Sequence, residues 1–163
     1  KKETVLVNEP LEKALEIFSQ QLKLREINVV KELEKDLPPI LADPNRLEQV
    51  FINLLINARD AIEEKTDKAN QEGKPKEIFL KTAFKKGMVT IEVKDTGVGI
   101  PKSILDKIFE PFFTTKKVVQ GTGLGLSISY GIIQDYGGHI RAESREGVGS
   151  NFIIHFPVPN EAK

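Results

Sequence analysis

The spacing of hydrophobic positions changes along the chain, and each change marks an element. Leu11, Ala14, Leu15, Phe18 and Leu22 recur at helical spacing behind Pro10, which suits a helix's first turn. Val5–Val7, just upstream, is a short apolar run, and Ile27–Leu33 alternates loosely, as a strand does. LPPILADP (37–44) is a proline-marked connection that places Asp43 to cap a helix opening at Pro44. That helix, over 44–65, has an apolar face of Leu47, Val50, Phe51, Leu54, Leu55, Ala58, Ala61 and Ile62. TDKANQEGKP (66–75) has loop composition. Glu77–Phe84 and Met88–Asp95 read as a hairpin about KKG, followed by a short helix from Pro101. A long irregular segment, PFFTTKKVVQGTG (111–123), leads to a helix over Leu124–Tyr136 that Gly137-Gly138 stops. His139–Ser144 and Ser150–Pro157 are the last strands, separated by REGVG. Strands pairing largely as hairpins among helices predict an α+β fold, a two-layer α/β sandwich with helices on one sheet face.

Composition narrows the picture. At 163 residues the chain suits one domain, 1–163, with a full hydrophobic core. Lys plus Arg equals Asp plus Glu at 24 each, so no global field draws in nucleic acid or membrane. With no cysteine there is no disulfide, thiolate chemistry or zinc-thiolate site. His139 and His155 are too isolated to build a metal site between them, and no apolar run reaches membrane-spanning length. The N-terminus is not a signal peptide, and the opening KKETVLV, without an initiator Met, reads as part of something longer.

Three stretches carry candidate chemistry. Along the long helix, Gln49, Asn53, Asn57, Asp60 and Glu64 form a second stripe at spacings of four, four, three and four. Asparagine is a poor helix former because its amide competes for backbone hydrogen bonds. Its amide oxygen is a neutral hard ligand suited to a Mg²⁺ ion already charge-matched by phosphates; the plain alternative is a solvated polar face. Asp95 closes a strand ahead of T-G-V-G-I-P. There a carboxylate can accept a hydrogen bond from an exocyclic amine, while Gly97 and Gly99 let backbone approach a flat base; the alternative is a turn with a capping aspartate. In IFEPFFTTKK (108–117), Phe109, Phe112 and Phe113 can anchor a lid that turns Lys116 and Lys117 outward, toward a phosphate or merely toward solvent. GTGLGLSIS (121–129) offers backbone freedom before an apolar helix, as a phosphate cradle or a flexible turn would. It is not GxGxxG, because Leu126 stands where the third glycine belongs, and the chain has no Gly-Lys-Ser or Gly-Lys-Thr.

Taken in order, DPNRLEQVFINLLINARDAI (43–62), DTGVGIP (95–101), IFEPFFTTK (108–116), GTGLGLSIS (121–129) and GVGSNFIIHFP (147–157) resemble the ATP-binding catalytic domain of sensor histidine kinases. That family lies within the superfamily shared with gyrase, Hsp90 and MutL, and PFFTTK resembles its nitrogen-regulation and PAS-linked branch. The resemblance implies a Bergerat-type fold, with a mixed, mostly antiparallel sheet of about five strands on three helices and an ATP lid. It implies Asn57 as the Mg²⁺ ligand and Asn53 beside the phosphates. Asp95 is implied to hold adenine N6, with Gly97 and Gly99 lining the base. Lys116 is implied at the γ-phosphate, and Gly121, Gly123 and Gly125 as the phosphate cradle. Ile100, Thr122, Leu124 and Leu126 flank these motifs and complete the implied binding set. Ser150 joins the water network behind the base or is simply a strand-edge serine.

Two departures from the family pattern stand out. Where many relatives carry Lys three residues after the Mg²⁺-binding Asn, this chain has Asp60, so a cationic contact is lost or moved to Arg59 or Lys116. The phosphorylated His of the family belongs to a separate helical hairpin, and no similar motif occurs here. The resemblance therefore implies Mg·ATP binding, transfer to a histidine of an absent dimerisation domain, and relay to a response regulator. It implies a monomeric fragment of a homodimeric parent, a cytoplasmic location whether the parent is membrane-anchored or soluble, and no nucleic-acid partner. The alternatives are an ATPase or clamp, or a non-catalytic nucleotide sensor. Clamp ATPases of the superfamily use a Glu where Asn53 stands, and an amide is no general base near neutral pH.

Overall fold

The computed structural model describes residues 1–69, 75–111 and 125–159. In chain order its elements are β1 (Glu3–Val5), α1 (Asn8–Leu24), β2 (Asn28–Leu33), β3 (Ile40–Ala42) and α2 (Pro44–Ala69). There follow β4 (Glu77–Lys85), β5 (Met88–Asp95), a 3₁₀ turn (Lys102–Lys107), α3 (Gly125–Asp135), β6 (His139–Arg145) and β7 (Gly149–Pro157). Five strands form one sheet in the order β2-β4-β5-β7-β6, in which only β2 and β4 run parallel. This is the expected two-layer architecture, with α2 lying between α1 and α3 and against β5.

Two features depart from the expectation. The connection 37–44 contains a strand: Ile40–Ala42 pairs antiparallel with Glu3–Val5 as a separate two-stranded ribbon. Its three residues, behind Pro38 and Pro39, are too few for a pattern to be read, yet Ile40 and Ala42 are fully buried. The second departure is α2, which runs past 65 to Ala69. The Thr66 hydroxyl donates to Ile62 O at 3.0 Å there, and the last turn lacks the apolar stripe that would have marked it.

The ends of the helices follow from local chemistry. The Asn45 N–H donates to Asp43 Oδ1 at 2.9 Å and the Leu47 N–H to Asp43 O at 3.0 Å, so Asp43 caps α2 with side chain and backbone together. Past α3, the Gly138 N–H donates to Ile133 O and the Gly137 N–H to Gln134 O, the paired bonds of a Schellman stop.

All of the predicted apolar face of α2 is buried except Ala61, which is half-buried. Across the sheet, the positions facing the helices align in rows by register. Leu80, Val93, Phe152 and Ala142 form one row, and Thr82, Ile91, Ile154 and Ile140 another. The row at the end of the sheet changes character: Ile78, Asp95, Ser150 and Ser144. Strand period 2 thus puts a carboxylate where Val89, Ile91 and Val93 prescribe an apolar side chain. Phe51 is among the largest wholly buried side chains. Replacing it with Ala should cost about 3–5 kcal/mol in urea unfolding; a loss below about 1 kcal/mol would mean that this layer is loosely packed.

Candidate functional site

Asp95 is 3% exposed and lies directly across from Ser150, itself 5% exposed. Its carboxylate accepts the Gly97 N–H at 2.8 Å, and the Ser150 backbone N–H also favours its charged form. Burial raises its pKa from 3.8 to about 6, against those two N–H bonds and, more weakly, the charge of Lys65. The side chain is therefore largely ionised at neutral pH although buried.

The segment behind Asp95 is tied down from four elements. The Thr96 N–H donates to Glu77 O on β4 at 3.2 Å, and Lys65 Nζ on α2 donates to Thr96 O at 3.2 Å. The Val98 N–H donates to Ala61 O on α2 at 3.1 Å, and Val98 O accepts the Gly147 N–H from the β6–β7 turn at 2.6 Å. The Ile100 N–H ends on Ser144 Oγ of β6 at 2.6 Å. Such a segment is preorganised rather than adaptable.

The two glycines of this segment have reasons of their own. A Cβ on Gly97 would come within 2.5 Å of Ala61, so α2 and the loop meet backbone to backbone. Gly99 has φ +77° and abuts the Arg145 carbonyl, a position that admits no side chain. Both glycines are thus required by the protein's own packing, whatever ligand approaches.

The amide stripe on α2 leads to the same place. Asn53, Asn57, Ala61 and Lys65 follow one another at i+4 and form one ridge. Ala61 and Lys65 touch the Asp95 segment. Asn53 Nδ2 lies 3.3 Å from Gly125 O and 3.2 Å from Ser129 Oγ at the start of α3, with Gln49 Nε2 donating to Asn53 Oδ1 at 3.3 Å. Asn57 sits one turn from each end, half-buried. The ridge from Asn53 to Ala61 spans about 12 Å. Asn57 thus stands one turn along α2 from Ala61, which meets the Asp95 segment at Gly97 and Val98.

Ile100 and Leu126 are partly buried against the core, and Gly125, exposed, opens α3. Lys116, Gly121, Thr122, Gly123 and Leu124, with most of the lid, lie outside the described residues. Arg59 does not join the stripe: its guanidinium sits 5.3 Å from the Phe18 ring on α1 and binds Asp60 at 2.9 Å. His139 and His155 stack at 4.7 Å on adjacent strands at the far end of the sheet from Asp95. Pattern reading passed over Ser144 and Lys65; a serine at a core-facing strand position was the available signal for the first.

Asn57 makes no side-chain hydrogen bond among the described residues, so its hard amide oxygen is available to a cation. No cluster of three or more His, Cys, Asp or Glu that could hold a metal occurs among the described residues. That donor set fits Mg²⁺, which takes most of its ligands from phosphates and water.

Comparison with known proteins decides the family. Residues 42–160 match the profile described as histidine kinase-, DNA gyrase B-, and HSP90-like ATPase. The chain belongs to that family. It is 45% identical to the sensor kinase CckA of Brucella abortus over 79% of this chain, and 40% identical to the sensor histidine kinase ZraS of Escherichia coli over 96%. It spans only 14% and 31% of those two relatives' lengths. The solved catalytic domain of histidine kinase ThkA superposes with a TM-score of 0.80 at 34% identity, covering 96% of this chain and 95% of that one. ThkA in complex with the response regulator TrrA also matches, at 31% identity and a TM-score of 0.75, over 99% of this chain and 43% of that one. The chain is thus a histidine kinase ATP-binding domain, as the motif order implied. Among the described residues no helix is long and apolar enough to cross a membrane.

The buried carboxylate has a measurable cost to the fold. Because its folded pKa is raised, its contribution to stability is full below 3.8 and lost as pH rises through about 6. Relative to Asp95→Asn, the parent domain should lose about 2–3 kcal/mol of stability between about pH 4 and 7.5. Urea unfolding across that range checks it; parallel pH profiles would show that Asp95 titrates normally.

Proposed function

We propose that this domain binds Mg·ATP between the α2 ridge and the Asp95 end of the sheet. It passes the γ-phosphate to a histidine on a separate dimerisation domain, for relay to a response regulator. The observation that supports this most is the single ridge of α2 that bonds to α3 through Asn53 and meets the buried Asp95 segment through Ala61, with Asn57 between them. Asp95 accepts from the adenine amino group, and the clamped segment with Gly97, Gly99 and Ile100 lines the base. Asn57 supplies a ligand oxygen to Mg²⁺, which when bound neutralises phosphate charge. Asn53 positions the phosphates, Gly121, Thr122, Gly123, Leu124, Gly125 and Leu126 enclose them, and Lys116 on the lid meets the γ-phosphate. Phosphoryl transfer asks of the protein mainly such positioning and charge neutralisation.

A clamp ATPase is disfavoured by Asn53, whose amide is engaged with Gly125 and Ser129 and cannot take a proton from water. A non-catalytic nucleotide sensor would need neither the amide ridge nor a γ-phosphate lysine. The complex of ThkA with a response regulator supports a response regulator as the downstream partner, and PFFTTK supports the nitrogen-regulation branch. We place the domain in the cytoplasm, as a monomer when separate from its dimerisation domain.

Incubated alone with Mg·[γ-³²P]ATP, the chain should bind nucleotide yet take up no label. Adding the parent's histidine-bearing hairpin in trans should put acid-labile label on that hairpin; acid-stable label on Ser or Thr of an added protein contradicts the assignment. Asn57→Ala should flatten the magnesium dependence of ATP binding, and an unaltered metal titration would refute its ligand role.

A further inference from the structure

The chain holds two histidines, and on sequence spacing alone His139 and His155 are too isolated to share a metal. The sheet removes that isolation. Register sets His139 of β6 directly across from His155 of β7, and the rings stack with centroids 4.7 Å apart and planes 24° from parallel. They complete the row Ala83, Thr90, His155 and His139, on the sheet face turned away from the helices. Thr90 and Asp95 are about 17 Å apart along β5 and point to opposite faces, so the pair is remote from the proposed nucleotide site.

Opposed residues on antiparallel strands carry their Cβ atoms about 4.5–5.5 Å apart, which lets two imidazoles reach one ion. Metal–nitrogen bonds of about 2.0–2.1 Å ask the two donor atoms to come within about 3 Å of each other. The stacked rings meet that by tilting about χ2, a broad torsion in histidine. Both rings are reachable, since His139 is exposed and His155 half-buried. The charges facing them are Arg141 on β6, Lys85 on β4 and Glu92 on β5, and Arg141 is itself paired with Glu143. Burial first, then His139, Arg141 and Lys85, lower the pKa of His155 against the opposing charge of Glu92, which leaves its ring a neutral donor at neutral pH.

We propose that His139 and His155 form a two-imidazole site for a nitrogen-preferring divalent transition metal, Zn²⁺, Ni²⁺ or Cu²⁺. Imidazole suits these ions, whereas Mg²⁺ selects oxygen, so the site does not compete for the ion proposed for Asn57. No third His, Cys, Asp or Glu completes a cluster among the described residues, so water fills the remaining positions. A bound ion cross-links the edge strand β6 to β7 just past the glycine stop of α3.

The test titrates Ni²⁺ and Zn²⁺ separately into the untagged 163-residue chain, with excess Mg²⁺ and no nucleotide, by calorimetry and by imidazole ¹H NMR. With only two histidines present, each ring is followed by its own signals. Ni²⁺ should bind at about one per chain and broaden both rings together, and either ion should raise the Tm by binding the folded state. His139→Gln and His155→Gln should each weaken Ni²⁺ binding by about tenfold or more, because one imidazole alone loses the chelate, and each should abolish the metal-dependent rise in Tm. Melting without metal checks that each variant folds, and either variant that does so decides the question by itself. Absence of Ni²⁺ binding, broadening of one ring or neither, or variants that bind within about twofold of the parent would overturn the proposal.

Discussion

One buried charge organises this end of the molecule. The sheet places Asp95 on the core-facing side of β5, in line with Val89, Ile91 and Val93, where an ionised group is unfavourable. The fold tolerates it by directing two backbone N–H groups at the carboxylate and by keeping Lys65 close. Compensation is incomplete, as the raised pKa shows. A buried carboxylate in a rigid frame is suited to recognising a donor, because a ligand amine favours its charged form.

The frame itself comes from packing of the kind usually credited to stability alone. α2 meets the Asp95 segment backbone to backbone at Ala61 and Gly97, which fixes the amide ridge relative to the carboxylate. The β6–β7 turn meets the same segment from the other side through Gly147 and Ser144. Because one helix carries both Asn57 and the residues that brace Asp95, the proposed metal ligand and the proposed base acceptor are held at a fixed separation. On that proposed placement, orientation of a long, charged substrate is built into α2, and little reorganisation is left for the moment of reaction.

Much of this was legible in the sequence where the pattern was long or the chemistry local. The apolar face of α2, the Asp43 cap, the β4–β5 hairpin and the glycine stop after α3 each rest on residues within a turn or two of one another. The β1–β3 ribbon was not legible, since its three-residue strands are joined only through tertiary pairing. Nor was the parallel pairing of β2 with β4, which spans α2. The site shows the same division. Asp95, Asn53 and Asn57 stood out as polar residues at positions with a better local choice, whereas Ser144 looked ordinary because its role depends on Ile100, 44 residues away. The glycines of DTGVG were noticed for a ligand's sake, yet α2 and β6 already require them.

The central claim is that Asp95 is a strained acceptor that adenine relieves, and its own titration tests that most directly. Carboxyl ¹³C NMR of Asp95, assigned by its loss in Asp95→Asn, should give a midpoint near 6 in the free domain. Saturating Mg·ATP should lower that midpoint, since a donor on the carboxylate favours its charged form. A free-domain midpoint close to 3.8, or one that ATP leaves unmoved, would contradict the account.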